Sequence, residues 1–169
     1  MMNKETPAEW VLAALEFKGG HRVFDVPHEG QGIMQIKYKN GVEGSLATSG
    51  SFSGAALRFI GDKGVAEIHW AEPPVRVWRK GPADYEVVPV KDASDGNVAA
   101  AIVHVVESFR AGKESELCAD NALRGTEIIF AAYESVRRRG RVDLPLTIED
   151  HPLADMIKTG VYKEEKPRP

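Results

Sequence analysis

The chain has 169 residues, 43% of them hydrophobic and 28% charged, which is a prior for one domain with an ordinary globular composition. Its formal net charge of −3 gives no electrostatic reason to expect nucleic acid or an anionic membrane as a partner. A single cysteine, Cys118, excludes an intrachain disulfide framework, no apolar run reaches the roughly 18 residues of a membrane span, and MMNKETPAEW lacks the pattern of a signal peptide, so a cytoplasmic location is expected.

Thr6-Pro7 opens a short helical pattern through Trp10, Val11, Ala14 and Leu15, ended by Gly19-Gly20. A short strand is expected at Val23 to Val26. Ile33 to Lys39 alternates and runs into Asn40-Gly41, a strong two-residue hairpin signal, with the return strand at Val42 to Thr48. Ser49 to Gly54 reads as a crossing segment. Strands follow at Ala56–Ile60 and Val65–Trp70, joined by Gly61-Asp62-Lys63-Gly64, whose glycines supply turn chemistry. Val75–Arg79 and Tyr85–Val90 complete about six strands with short connections, so a mainly antiparallel sheet is expected.

The period then changes from two to 3.6. Asp95 or Asn97 can cap a helix with Val98, Ile102, Val105, Val106 and Phe109 on one side, closed by Gly112. A second helix runs from about Ala119 to Arg139, with Ala122, Gly125, Ile129, Ala132 and Val136 as its inner face and Gly140 at its end. Arg137, Arg138 and Arg139 read as solvated charges that suit a helix C-terminus. Val142 to Leu146 is extended, Thr147 to Met156 is expected as a short helix, and the charged, proline-rich residues after 160 form a loose tail. Residues 1–160 are thus read as one α+β domain, with helices packed on one face of the sheet.

Four pieces in order carry a family resemblance: PAEWV (7–11), MQIKYKNGVEGSL (34–46), LRFIGDKGVAEI (57–68) and CADNALRGTEIIFAAYESVRRRGRVDLPL (118–146). The second resembles a strand–NG–strand pattern and the third a "l-x-i-x-G-x-x-G-x-i" hairpin. The fourth is similar to a helix ending in "a-y-x-S-x-x-x-g-x-x-V-x-l-P". Together they resemble the C-terminal domain of the Gfo/Idh/MocA family of NAD(P)-dependent oxidoreductases. The resemblance implies a fold like the C-terminal domain of glyceraldehyde-3-phosphate dehydrogenase. It also implies a sugar or polyol substrate, a Rossmann domain as partner in a complete enzyme, and a homodimer or higher oligomer formed through the open face of the sheet.

Three functional parts of that family find no matching position. Gly30-Gln31-Gly32 precedes a strand and so does not imitate the glycine-rich turn that brings a dinucleotide to a helix N-terminus. Glu165-Lys166-Pro167 spells the family's Glu-Lys-Pro, but in a terminal tail without a preceding strand. The Asp-x-x-x-His pair, whose imidazole serves as acid/base catalyst, has no counterpart. The expectation is therefore a chain with no catalytic, cofactor-binding or metal-binding residues of its own, inactive alone, with NAD or NADP implied only for a complete enzyme. The alternative from another class is a freestanding binding or scaffold module that assembles with a complete paralogue.

His21, His28, His69, His104 and His151 show no metal-ligand spacing and read as structural or surface residues, though His28-Glu29 stands in a loop where it could face a ligand. Asp150-His151 is adjacent in sequence, which on a helix points the two side chains apart. Cys118 reads as a cap or packing residue rather than a nucleophile. The resemblance implies that the residues just before the glycine-hairpin strand border the substrate pocket, which makes Ser51, Phe52 and Ser53 the substrate-facing candidates, and serine hydroxyls suit polyol recognition. The bland reading of the same stretch is a polar connection between strands. Apolar residues on both parities of the strands, among them Ile33, Met34 and Ile36, imply that the second sheet face also needs a cover, with Ile36 as a trial position for disrupting it.

Overall fold

The computed structural model describes residues 6–16, 22–23, 26–27, 30–48, 55–69, 73–79, 84–89 and 98–162. In chain order these form β1 (Ala8–Glu16), β2 (Arg22–Val23), β3 (Val26–Pro27), β4 (Gln31–Tyr38), β5 (Glu43–Thr48), β6 (Ala55–Gly61), β7 (Gly64–His69), β8 (Val75–Arg79), β9 (Glu86–Val87), α1 (Val98–Arg110), α2 (Ala119–Arg138), β10 (Val142–Asp143) and α3 (Pro152–Lys158). The fold is α+β, with all strand pairs antiparallel in two four-stranded sheets and one two-stranded ribbon, β2-β3. The strands expected from Ile33 onward have counterparts in β4 to β9, divided between two sheets, and the last, expected at 85–90, is only Glu86–Val87. The expected strand at 23–26 is instead the two arms of the ribbon.

The chain divides into two compact units, residues 1–50 with 108–169, and residues 51–107. The first holds the sheet β10-β1-β4-β5. Its turn at Asn40-Gly41 forms as the sequence predicts: Gly41 takes φ 88°, its N–H donates to the Tyr38 carbonyl, and Asn40 Oδ1 accepts from the Val42 N–H. β1 corrects the expectation of a helix at 7–15. Residues 10–15 are an unbroken apolar run, which does not distinguish helix from strand by period, and pairing with both β10 and β4 decides for strand.

Paired residues share a face, so Val11 with Ile36 and Ala13 with Met34 look one way, and Leu12 with Gln35 and Ala14 with Ile33 look the other. The first face meets α2. Val11, Ile36, Tyr38, Ala131, Ala132 and Val142 form the buried core there, with Ile128 and Leu144 packed against it. Ile36 is 7% exposed, so it belongs to the helix-covered side and not to the outward set. Ile33, on the opposite face, is 59% exposed. The inner face of α2 is Ile128, Ala131, Ala132 and Ser135, spaced i, i+3, i+4, i+7; of the expected set, Ala132 lies on it and Val136 packs in the second core, whereas Ala122 and Ile129 are exposed. Ile129 lies 49% exposed, about 100° around the helix from Ile128.

The end of α2 also differs in detail. Arg139 adopts the left-handed conformation at φ 55°, while the Gly140 N–H reaches back to the Ser135 carbonyl. The next helix, α3, begins later than expected, at Pro152. His151 caps it, Nδ1 accepting from the Ala154 N–H. α3 contributes Leu153 and Met156 to a second small core with Tyr162, against which Tyr133 and Val136 of α2 pack.

The second unit holds the sheet β6-β7-β8-β9. The Gly61–Gly64 turn joins β6 to β7 in register, Gly61 opposite Gly64. Leu57, Phe59, Ala66, Ile68, Val75 and Val77 fall on one face, and Arg58, Glu67 and Arg76 make a row across three strands on the other. α1 has the apolar periodicity expected of it, yet none of its residues is buried. Its proposed caps, Asp95 and Asn97, lie outside the described residues.

Candidate functional site

Ser51, Phe52 and Ser53 lie outside the described residues, as do His21 and His28-Glu29. What the structure places are the two strands flanking the candidate stretch: β5 ends at Thr48 and β6 begins at Ala55. Along the first half of β5, toward the Asn40-Gly41 turn, the outward face of the first sheet carries polar side chains in register. Ser45 Oγ donates to Gln35 Oε1 at 2.7 Å, and Lys37 Nζ pairs with Glu43 at 2.8 Å. The lysine holds the Glu43 carboxyl below the usual carboxylate range.

His69 and Glu67 form the nearest approach to an acid–base pair. Two residues apart on β7, they share a face, and His69 Nε2 stands 2.8 Å from Glu67 Oε2. Arg58, directly opposite on β6, donates to the other carboxylate oxygen. Glu67 is buried, and hydrogen bonding from His69 first, then from Arg58, holds its carboxyl below the ordinary range. A carboxylate so held is a fixed anion that orients its neighbours, not a proton carrier near neutral pH.

The Asp150-His151 pair is not a dyad. His151 caps α3, whereas Asp150 binds the guanidinium of Arg137 through both oxygens. Arg137 is correspondingly not the solvated charge expected from sequence. It also pairs with Glu134 at 2.5 Å and Asp155 at 3.2 Å, and these carboxylates, Asp150 foremost, raise its pKa further above an already high ordinary value. Glu134, 1% exposed, also accepts from Arg138. This node joins α2 to α3 and leaves Arg137 no free hydrogen-bonding edge for a phosphate.

Cys118 stands at the N-cap of α2, but its side chain makes no cap hydrogen bond. His104 is exposed on α1. Among the described residues, no three His, Cys, Asp or Glu side chains gather as metal ligands, and no helix is long and apolar enough to cross a membrane. Gly30-Gln31-Gly32 leads directly into β4, so these glycines do not fit a dinucleotide pyrophosphate, which needs a turn that opens a helix. Sequence reasoning missed two residues of the first unit, Ser135 and Glu134. Both are polar residues of α2 wholly withdrawn from solvent. The only sequence signal was the serine of the quoted helix-ending pattern.

No protein-family model and no curated protein matches the chain. Solved structures do. The WlbA dehydrogenase from Bordetella pertussis, in complex with NADH and UDP-GlcNAcA, is similar at TM-score 0.57 and 21% identity, over 83% of this chain and 41% of that one. The aldose-aldose oxidoreductase from Caulobacter crescentus, complexed with glycerol, aligns at TM-score 0.64 and 23% identity, over 83% and 42%. An oxidoreductase domain protein from Kribbella flavida aligns at 0.65 and 13%, over 84% and 47%. The chain thus spans less than half the length of each of these proteins. At these identities the likeness is one of fold: the chain has the α+β fold of Gfo/Idh/MocA-type oxidoreductases, over a share of their length consistent with their C-terminal domain.

Proposed function

We propose that this chain is the substrate-binding and oligomerisation domain of an NAD(P)-dependent sugar or polyol dehydrogenase, inactive alone. The nicotinamide would be held by a Rossmann domain that supplies the other half of the enzyme. The observation that carries the reading is the fold shared with oxidoreductases across 83% of this chain and less than half of theirs, one of them holding NADH with a sugar nucleotide. The division of labour follows from chemistry. Pyrophosphate binding uses a glycine turn and a helix N-terminus, whereas the glycine turns described here join strands. In this reading Ser51, Phe52 and Ser53 border the substrate, the serines donating to and accepting from its hydroxyls.

Two measurements test the proposal. Calorimetric titration of NADH and of NADPH into the 169-residue chain is expected to give no micromolar binding, and a one-to-one micromolar complex would overturn the assignment. In a complete dehydrogenase carrying this domain, Ser53→Ala is expected to raise KM or lower kcat by about fivefold, equivalent to about 1 kcal/mol, with an unchanged unfolding midpoint. Unchanged kinetics would reduce residues 51–54 to a connection between strands.

A further inference from the structure

Arg124 lies on the N-terminal half of α2, and its guanidinium Nη1 is buried with no hydrogen-bond partner. A charged donor withdrawn from water and left unmatched carries its whole desolvation penalty, and native structures rarely keep one without a water or an ion to meet it. Arg124 is also among the residues that line a cavity of about 110 Å³. That is the liquid volume of about three or four waters, enough for a small polyatomic ion.

The cavity has a consistent chemistry. Ala8 of β1, Ile128 of α2 and Leu144 after β10 give it apolar walls, and Lys39, exposed in the turn after β4, stands at its rim. Glu127 also lines it, but one of that carboxylate's oxygens, Oε1, accepts from the Leu146 N–H at 2.8 Å. Among the described lining residues there are two cations and one carboxylate, a net positive lining in a setting where apolar walls strengthen electrostatic contacts. A guanidinium is suited to this task, since its planar fork of donors matches the oxygens of a carboxylate or phosphate.

We infer that this cavity is a binding site for a small oxyanion, a phosphate or a short carboxylate, held by Arg124 with Lys39 at the rim. It is built entirely within the first unit and is independent of residues 51–53 and of the dehydrogenase reading.

Inorganic phosphate and, separately, acetate are titrated by calorimetry into the full chain at constant ionic strength with chloride as background. Saturable one-to-one binding is expected for at least one of them, and which one binds tells phosphate from carboxylate. Arg124→Gln should weaken it about tenfold or more, and Lys39→Gln by a smaller factor. Without anion, Arg124→Gln should melt no lower than the parent, because it removes a buried donor that has no partner. Phosphate also stabilises proteins generally by exclusion from their surface, so the variant comparison is decisive. A thermal shift shared equally by the parent and Arg124→Gln overturns the site, as does the absence of saturable heat with both anions. Should Arg124→Gln fail to fold, Lys39→Gln, altered at an exposed position, carries the comparison: affinity equal to the parent's overturns the site.

Discussion

Ser135 ties the helix-covered core together through a single hydroxyl. Its Oγ accepts the Ala13 N–H at 2.8 Å and donates to the Gly140 carbonyl at 2.7 Å. β10 pairs with β1 only at Trp10 and Val11, so the Ala13 N–H lies beyond the reach of that strand and takes a side chain as its acceptor. Ser135→Ala should lower stability by about 1–3 kcal/mol by leaving a buried donor unmatched, read from urea unfolding with an unchanged slope. One residue before Gly140, Arg139 holds φ 55° without being glycine. Counting from Ser135, position 139 is where the quoted family pattern has its "g". Arg139→Gly is therefore expected to stabilise the protein by about 1 kcal/mol through relief of the left-handed penalty, seen as a raised unfolding midpoint. Neither role is legible from apolar periodicity, which treats a serine as a break in a buried stripe and a run of arginines as solvent-facing. The bonds that bury Ser135 and anchor Arg137 run to residues remote in sequence or beyond the helix, at Ala13, Asp150 and Asp155.

Among the elements, hairpins were the most legible because their signal is local. Asn40-Gly41 and Gly61–Gly64 each name their turn within four residues, and both strand pairs form around them. The two glycines of the second turn are nonetheless unequal. Gly64 has φ 147°, and a Cβ there would overlap the Trp78 carbonyl oxygen of the neighbouring strand, whereas a Cβ on Gly61 meets nothing closer than 4.0 Å. Gly64→Ala should therefore cost about 3 kcal/mol or more by prising β8 from β7, while Gly61→Ala stays within about 1 kcal/mol. Thermal denaturation of the two variants side by side separates these outcomes; equal losses would mean that the strand contact is not the cause. β1 was misread for the opposite reason. A nine-residue strand in the interior of a sheet need not alternate, and only its partners, one of them more than a hundred residues later, distinguish it from a helix. The division of the later strands into a second sheet was likewise invisible, since the hairpin signals specify neighbours but not where a sheet stops.

For the molecule as a whole, the assembly we propose would use the face of β1-β4-β5 opposite α2, where Leu12, Ala14, Ile33 and Ala47 stand beside Gln35, Ser45 and the Lys37–Glu43 pair. Burying large apolar side chains there contributes roughly 1.5–3 kcal/mol apiece, and stacking two such faces about a twofold axis buries them in pairs. Ile33→Lys is expected to convert an oligomer to a folded monomer in light scattering. Ile36→Lys, on the covered side, should instead unfold the domain, as read by circular dichroism. A monomeric mass for the unaltered chain at tens of micromolar would exclude the assembly. The first unit's core also draws on both ends of the chain. Val11 meets Ala131, Ala132 and Val142, while residues 51–107 make a contiguous unit inserted between its two parts. During synthesis on the ribosome, the inserted sheet thus emerges with all its strands while β1, β4 and β5 still await their helix. The helix-covered core can close only once the chain has been made as far as Val142, and until then the apolar side of β1-β4-β5 has no helix to cover it.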